Sequence, residues 1–158
     1  MKTIEVECAV ADYFGVRQNI IVPNISWGLW LHEMDIAVIR PSGALLEVEI
    51  KVSVSDMKAD LKKRHGHQDN QNRIKGMYYA MPASIYEKCL PYVPEGCGIL
   101  VIHEDWQNVP NYQRVRSKRE PATRKGYVKL TKDEMAQATR LGCLRIWTLK
   151  KNIIKLSK

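Results

Sequence analysis

Two apolar runs on either side of a short turn constrain the fold of this chain more than any other feature. Residues 33–40 (EMDIAVIR) and 44–52 (ALLEVEIKV) flank the tripeptide Pro41-Ser42-Gly43. Proline and glycine supply the backbone angles that a tight turn needs. In both runs apolar and charged residues alternate, which is typical of strands that have two different faces. The segment is therefore predicted to form a β-hairpin.

Further helices and strands are predicted on both sides of this hairpin. Apolar spacing and end signals predict helices over residues 3–14, 56–65 and 83–90, and strands over residues 18–22, 77–81 and 98–103. Thr131 and Glu134 have the spacing of a capping box. They open a last helix that runs through at least Gly142, with an end near Lys150 as the longer alternative. This order predicts a mixed α/β fold, and 158 residues fit a single domain.

The composition limits the partners and the compartment. Lysine and arginine number 25 against 17 acidic residues, a net charge of +8, which suits a polyanion such as nucleic acid. A protein with surplus surface lysine has the same composition. No run approaches the roughly 18 apolar residues of a membrane span, and acids interrupt the N-terminal apolar stretch where a signal peptide would have none. We expect a cytoplasmic protein without membrane association.

Charged side chains on the hairpin carry the chemistry. Residues two apart in a strand share a face, so Glu33 and Asp35 point one way, as do Glu49 and Lys51. If the strands pair across the turn, Asp35 and Glu49 converge at one end. Neighbouring carboxylates repel unless a cation lies between them, and a hard divalent ion with oxygen ligands resolves that conflict. Lys51 can hold an anionic oxygen or orient water at the ion.

A solvated strand face with alternating charges is the alternative interpretation. It is common in amphipathic sheets, and it is the one we favour for Glu47. For Asp35, Glu49 and Lys51 the residue types and spacing alone leave both interpretations open.

The order of elements and several local motifs resemble one nuclease superfamily. The segment 48–56 (VEIKVSVSD) precedes a basic helix, and residues 78–82 (YYAMP) and 94–99 (PEGCGI) follow. Over residues 3–103 the chain resembles the PD-(D/E)XK nuclease superfamily, and it is most similar to the MmcB-like DNA-repair branch. The resemblance implies a restriction-endonuclease-like mixed central sheet flanked by helices, with a C-terminal helix, and leaves residues 104–158 as a basic extension.

The resemblance implies a metal-dependent endonuclease that hydrolyses DNA phosphodiester bonds in repair, restriction or phage DNA processing. Its cofactor would be Mg²⁺ or Mn²⁺. By this analogy Asp35 and Glu49 are ligands together with the Ile50 carbonyl, and Lys51 positions the attacking water and stabilises negative charge.

Two further acids are candidates by the same analogy. Glu7 matches the glutamate that the superfamily often adds from its first helix, with Glu5 as the second choice. Glu33 is an extra ligand or a supporting acid. The chain departs from the pattern at Met34, where the superfamily's name calls for proline.

Basic and amide side chains form the predicted DNA-binding surface. Helical spacing places several of them on one stripe after the hairpin, where contact with phosphates and plain solvation are equally good explanations. By the superfamily analogy, Gln71 or Lys75 touches the site. The candidates are Lys58, Lys62, Lys63, Arg64, Gln71, Arg73, Lys75, Arg116, Lys118 and Arg119.

Two other functions compete with the nuclease. The chain is alternatively a catalytically silent nucleic-acid-binding module on the same fold, or an interaction subunit that binds neither metal nor DNA. The form of the DNA substrate is open, and a homodimer is an open alternative because many superfamily members act as dimers.

Overall fold

A six-stranded mixed sheet forms the centre of the protein. The computed structural model describes residues 1–25, 33–63 and 71–157. The strands are β1 (Ile20–Ile25), β2 (Met34–Ile39), β3 (Leu45–Ile50), β4 (Ile74–Pro82), β5 (Gly98–Ile102) and β6 (Val115–Arg119). The helices are α1 (Thr3–Phe14), α2 (Val54–Lys63), α3 (Ala83–Cys89), α4 (Asn111–Arg114) and α5 (Lys132–Leu156). This confirms the α/β class, the flanking helices and the C-terminal helix.

The strands lie in the sheet in their chain order, β1 to β6. β1, β2 and β3 pair antiparallel, β3, β4 and β5 pair parallel, and β6 returns antiparallel to β5. Parallel neighbours need a crossover connection, and α2 and α3 lie in the two connections that join the parallel strands. The charged strand β3 is therefore central, whereas β1 and β6 form the two edges.

The predicted hairpin is present and its turn depends on glycine. β2 and β3 pair from Ile36 opposite Val48 to Ile39 opposite Leu45. Gly43 has φ +82°, and a Cβ there would lie 2.6 Å from the carbonyl oxygen of Leu130. Both the backbone angle and this close approach exclude a side chain.

Different helices cover the two faces of the sheet. On one face α1 buries Val6 and Val10 against the even-numbered residues of β2 and β3. On the other face the first half of α5 covers β1 and β2, where Ala138 is fully buried. On that same face Met57 of α2 packs with residues of β4 and β5. The odd-numbered residues of β3 face the side that α2, α3 and α5 cover.

The C-terminal third is more integrated than the sequence indicates. Residues 104–158, predicted as a basic extension, supply β6 to the sheet and α5 to its cover. The predicted capping box is confirmed, because Thr131 Oγ1 accepts the Glu134 amide and Glu134 Oε2 accepts the Thr131 amide. The helix is longer than predicted. It runs past Gly142 to Leu156, and a Cβ on Gly142 would lie 3.7 Å from Val22 Cγ2.

Two strands extend beyond their predicted bounds. β1 runs through Pro23 to Ile25, although the predicted strand ends at Val22. A proline is tolerated because β1 is an edge strand that needs no donor on its outer side. β4 begins at Ile74 rather than at Met77. Among the described residues, none of the helices combines the length and the apolar character that crossing a bilayer requires.

Candidate active site

Asp35 and Glu49 lie at the same end of the β2–β3 hairpin. The pairing of the two strands ends at Ile36 opposite Val48, and Asp35 and Glu49 are the next residue on each strand. Asp35 Oδ2 accepts a hydrogen bond of 2.8 Å from the Ile50 backbone amide. This bond holds the half-buried carboxylate beside β3.

Lys51 follows Glu49 two residues later, and the two side chains meet. Its Nζ lies 2.8 Å from Glu49 Oε1, and the two side chains are 5% and 19% exposed. The Lys51 backbone amide donates to the carbonyl of Ala80 on β4, so the lysine is anchored to the centre of the sheet. A buried ammonium is stable only beside an opposite charge. Glu49 and Lys51 therefore form an ion pair, and Asp35 is bound to the backbone of Ile50, the residue between them. We call these three residues the hairpin cluster (Asp35, Glu49 and Lys51).

Glu47 corrects the prediction of a solvated strand face. It is only 2% exposed, between Ala37 on β2 and Met77 on β4. The reason is the central position of β3, since helices cover this face on both sides of the strand. Glu47 thus continues the row that Glu49 and Lys51 form. The alternation of β3 signalled the shared face, but only the strand order revealed the burial.

The two other candidate acids lie at the margin. Glu33 is exposed just before β2. Glu7, on α1, accepts a hydrogen bond of 3.4 Å from Asn24 Nδ2. The β1–β2 register sets Asn24 across from Asp35, so Glu7 reaches the strand next to the hairpin cluster. Within the described ranges, no three His, Cys, Asp or Glu side chains gather closely enough to hold a metal ion.

The oxygen donors of the hairpin cluster nevertheless fit a hard divalent ion. Mg²⁺ is commonly bound by only one or two carboxylates and completes its shell with waters and substrate phosphates. Asp35 and Glu49 supply such a pair. The contact of Ile50 with Asp35 is made by its amide, and the carbonyl's role as a ligand stays a prediction.

The basic helix after the hairpin is described only in part. Lys58 is exposed, and its Nζ lies 5.2 Å from the centre of the Tyr92 ring. The side chains of Lys62, Lys63 and Gln71, and all of Arg64, lie outside the described part of the chain.

Arg73 and Lys75 lie near the start of β4. The Arg73 guanidinium forms an ion pair with Glu134 in the first turn of α5. A hydrogen bond from the Thr131 backbone, followed by the bonds from Thr131 and Arg73 side chains, holds the pKa of Glu134 below its usual value. Lys75 is half-buried, and its carbonyl accepts the Arg124 amide. Arg73 therefore ties β4 to α5, and its role in DNA binding stays a prediction.

The basic residues of β6 separate into two kinds. Arg116 and Lys118 are exposed, and the Lys118 ammonium lies 5.8 Å from the centre of the Tyr86 ring. Arg119 is half-buried and donates to the carbonyls of Cys97 at 2.6 Å and Pro94 at 2.8 Å. Arg116 and Lys118 thus have the solvent exposure that a phosphate contact needs, whereas Arg119 holds the loop before β5.

A second polar cluster lies on the opposite face. Tyr78 belongs to the core under α1, and its hydroxyl donates to Glu120 Oε2 at 2.5 Å. Ser117 donates to Oε1 of the same carboxylate at 2.5 Å. Burial and the bond to Glu120 raise the pKa of Tyr78, while the bonds from Ser117 and Tyr78 lower the pKa of Glu120. The sheet separates this cluster from Glu49.

Comparison with known proteins supports the fold alone. No family model and no curated protein matches the chain. The chain is similar in structure to the SPO1766 protein of unknown function from Silicibacter pomeroyi, with a TM-score of 0.63 and 16% sequence identity. The match covers 95% of this chain and 92% of that one. At this identity the likeness extends to the arrangement of helices and strands.

Proposed function

We propose that the protein is a nuclease that uses Mg²⁺ or Mn²⁺ to hydrolyse phosphodiester bonds in DNA. The observation that carries the proposal is the hairpin cluster. Carboxylates from two adjacent strands lie at the same end of the hairpin, Asp35 bound to the Ile50 amide and Glu49 2.8 Å from the buried Lys51 ammonium. Burying charged side chains is costly in free energy unless they are paired. Buried, paired charges of this kind are typical of functional sites.

The chemistry of each side chain suits the reaction. Asp35 and Glu49 would hold the cation, which would supply charge neutralisation at the phosphate and activation of water near neutral pH. The Lys51 ammonium would donate to an anionic phosphate oxygen and stabilise the charge that develops there. Because Glu49 already holds this ammonium, the lysine needs little reorganisation when a phosphate arrives.

The net charge of +8 and the exposed Arg116, Lys118 and Lys58 support a polyanionic substrate. These side chains would contact the phosphate backbone and set the position of the strand. Such contacts do not distinguish one sequence from another.

Cleavage by isosteric variants tests the proposal. The purified chain is incubated with plasmid or linear duplex DNA in Mg²⁺ or Mn²⁺, beside Asp35→Asn, Glu49→Gln and Lys51→Met. Each variant is expected to lose on the order of 100-fold to 1000-fold in rate, because each removes a group that acts on the reacting phosphate or its cation. Circular dichroism verifies that the variants fold.

Glu87→Gln and Lys88→Met on the exposed side of α3 are the matched controls. They remove the same charges outside the hairpin cluster and should cut at the rate of the unchanged chain. Equal cleavage by the hairpin-cluster variants would refute the assignment. So would an absence of cleavage from every DNA form in both metals.

A catalytically silent DNA-binding module is the second candidate. It is favoured by the finding that no third acidic, histidine or cysteine side chain joins Asp35 and Glu49 within the described ranges. Calorimetric titration with Mn²⁺ separates the two functions. The nuclease requires uptake of Mn²⁺ that Glu49→Gln abolishes, whereas the silent module shows DNA affinity that falls steeply with salt and no uptake that depends on Glu49.

A further inference from the structure

Positive charge is concentrated in the C-terminal part of the chain. Residues 113–158 hold 14 lysine and arginine residues and three acids, whereas residues 1–112 hold 11 basic residues and 14 acids. No acidic residue follows Glu134. The net charge of +8 therefore arises from the segment that forms β6 and α5. A polyanion would be attracted to this segment more than to the rest of the protein.

α5 carries basic side chains on the side that faces away from the sheet. Ala138 is fully buried on the side that packs on β1. At 3.6 residues per turn, Arg140 and Lys151 lie on the opposite side, and Lys155 is one turn beyond Lys151. All three basic side chains are exposed. They extend along about 22 Å of helix, so this basic row (Arg140, Lys151 and Lys155) can contact several phosphates of one strand.

An exposed tryptophan lies within the basic row. Trp147 is 60% exposed and is one turn before Lys151. The Lys150 Nζ lies 5.1 Å from the centre of its ring. Leu144 and Ile154 are exposed on the same side of the helix, three residues before and seven residues after Trp147. An aromatic side chain among basic ones is typical of surfaces that bind unpaired strands, because the ring stacks on a base while the charges hold the backbone.

α5 also passes close to the hairpin cluster. Arg145 donates to the carbonyl of Asn24 on the edge strand β1. The residue pairs between β1 and β2 on either side of Asn24 also lie on either side of Asp35. Every side chain of α5 after Arg145 is exposed. The helix therefore leaves the sheet near the carboxylates that would hold the cation, and a strand bound along it would pass close to them.

An anionic lipid surface would also attract a basic helix. Leu149 and Ile153, on the other side of α5, are exposed and would suit a lipid surface. Interfacial helices, however, place their aromatic side chains on the apolar side, away from the charges. Trp147 lies among the charges, and this position favours a nucleic acid.

We infer that the outer side of α5, from Arg140 to Lys155, binds single-stranded DNA. The inference rests on the proposed function for the choice of DNA as the polyanion. It adds to that function the form of the substrate, a strand whose bases are unpaired where it meets α5.

Fluorescence anisotropy tests the inference with a labelled single strand of about 20 nucleotides and the matching duplex, in the absence of divalent cations. The unchanged chain should bind the single strand more tightly than the duplex. Trp147→Leu should weaken binding of the single strand by about 5-fold to 100-fold, because the stacking of a base is lost. Arg140→Gln/Lys151→Gln should reduce the slope of log affinity against log salt by about 1.4, since two phosphate contacts are lost. Circular dichroism verifies that both variants fold.

Two matched controls remove the same kinds of group elsewhere. Tyr112→Leu removes an exposed ring, and Arg17→Gln/Lys88→Gln removes two exposed positive charges. Both should leave the salt slope and the preference for the single strand unchanged.

This test is separate from the test of cleavage. If no DNA were cut but the α5 variants lost affinity as expected, the nuclease would be refuted and the inference would be supported. If the unchanged chain cut DNA and the folded α5 variants bound the single strand as it does, the inference alone would be refuted.

Two further outcomes would overturn the inference. One is a duplex that binds more tightly than the single strand. The other is sedimentation of the chain with phosphatidylserine vesicles that Trp147→Leu abolishes, while the same variant leaves DNA binding unchanged, because α5 would then bind an anionic lipid surface.

Discussion

β3 and β6 are both short strands with charged residues, but the charged side chains differ in solvent exposure. Those of β3 are largely buried, whereas two of those on β6 are exposed. In β3, Glu47 is 2% exposed, and Lys51 directly after the strand is 4% exposed. In β6, Arg116 and Lys118 are exposed. β3 lies between two neighbours under a cover of helices, whereas β6 is an edge strand. Edge strands commonly carry basic residues that discourage pairing with other sheets, so a charge on β6 needs no functional explanation, while a charge on β3 does.

The largest difference should appear when one charge is removed from each strand. Lys51→Met leaves the largely buried Glu49 carboxylate without its ammonium, and we expect a loss of about 3–5 kcal/mol in the free energy of unfolding. Lys118→Met, on the exposed edge, should change that free energy by no more than about 0.5 kcal/mol. Urea unfolding measures both. Equal losses would show that strand position does not decide the cost.

The double variant Glu49→Gln/Lys51→Met sharpens this comparison. Because it removes both members of the pair, it should recover a large part of the stability that Lys51→Met loses. If the double variant were no more stable than Lys51→Met, Lys51 would stabilise the fold mainly through groups other than Glu49.

A smaller contrast is expected inside β6 itself. Arg119 donates to the carbonyls of Pro94 and Cys97, so Arg119→Ala leaves those acceptors without their charged donor. We expect a loss of about 1.5–3 kcal/mol in the free energy of unfolding, against no more than about 0.5 kcal/mol for Arg116→Ala. Unfolding in urea again measures the two. A larger loss for Arg116 would contradict the separation of β6 into structural and exposed arginines.

In DNA binding the exposed residues of β6 should matter more than the structural Arg119. If Arg116 and Lys118 contact phosphates, each alanine variant should reduce the slope of log affinity against log salt by about 1 and weaken all sequences equally. Arg17→Ala, an exposed arginine between α1 and β1, is the control and should leave the slope unchanged. Fluorescence anisotropy over a salt series gives the slope. A slope that neither β6 variant alters would remove this strand from the DNA-binding surface.

The sequence predicted the local parts of this molecule better than their positions. The hairpin and the capping box of α5 depend on neighbours in the chain, namely the turn at Gly43 and the pair Thr131 and Glu134, and both are present. The shared face of Glu49 and Lys51 follows from strand alternation alone, and their side chains do meet.

Strand order was the information that the sequence lacked. Alternation is the same in a central strand and in an edge strand, so nothing local distinguished buried Glu47 from a solvated residue. The contacts of Arg73 and Arg119 were hidden for the same reason, since their partners lie 61 and at least 22 residues away in the chain. The end of α5 was placed too early, at Gly142 or near Lys150, whereas the helix runs to Leu156.

The smallest effect concerns Glu120, the residue after β6 that is tied to the core. Hydrogen bonds from Ser117 and Tyr78 lower its pKa, so its charged form stabilises the fold above the ordinary glutamate range, and this contribution is lost as the pH falls through the lowered pKa. Burial and the bond to Glu120 raise the pKa of Tyr78, so its contribution is present below the ordinary tyrosine range and is lost as the pH rises beyond it.

Tyr78→Phe should therefore weaken the dependence of the free energy of unfolding on pH, slightly in the acidic range and more in the alkaline range. Urea midpoints measured across acidic and alkaline pH provide the comparison. Tyr112→Phe, an exposed tyrosine, is the matched control and should leave the profile unchanged. If Tyr78→Phe kept the full acidic limb, Ser117 alone would account for the shift of Glu120, and the charge after β6 would be coupled to its own edge of the sheet rather than to the core.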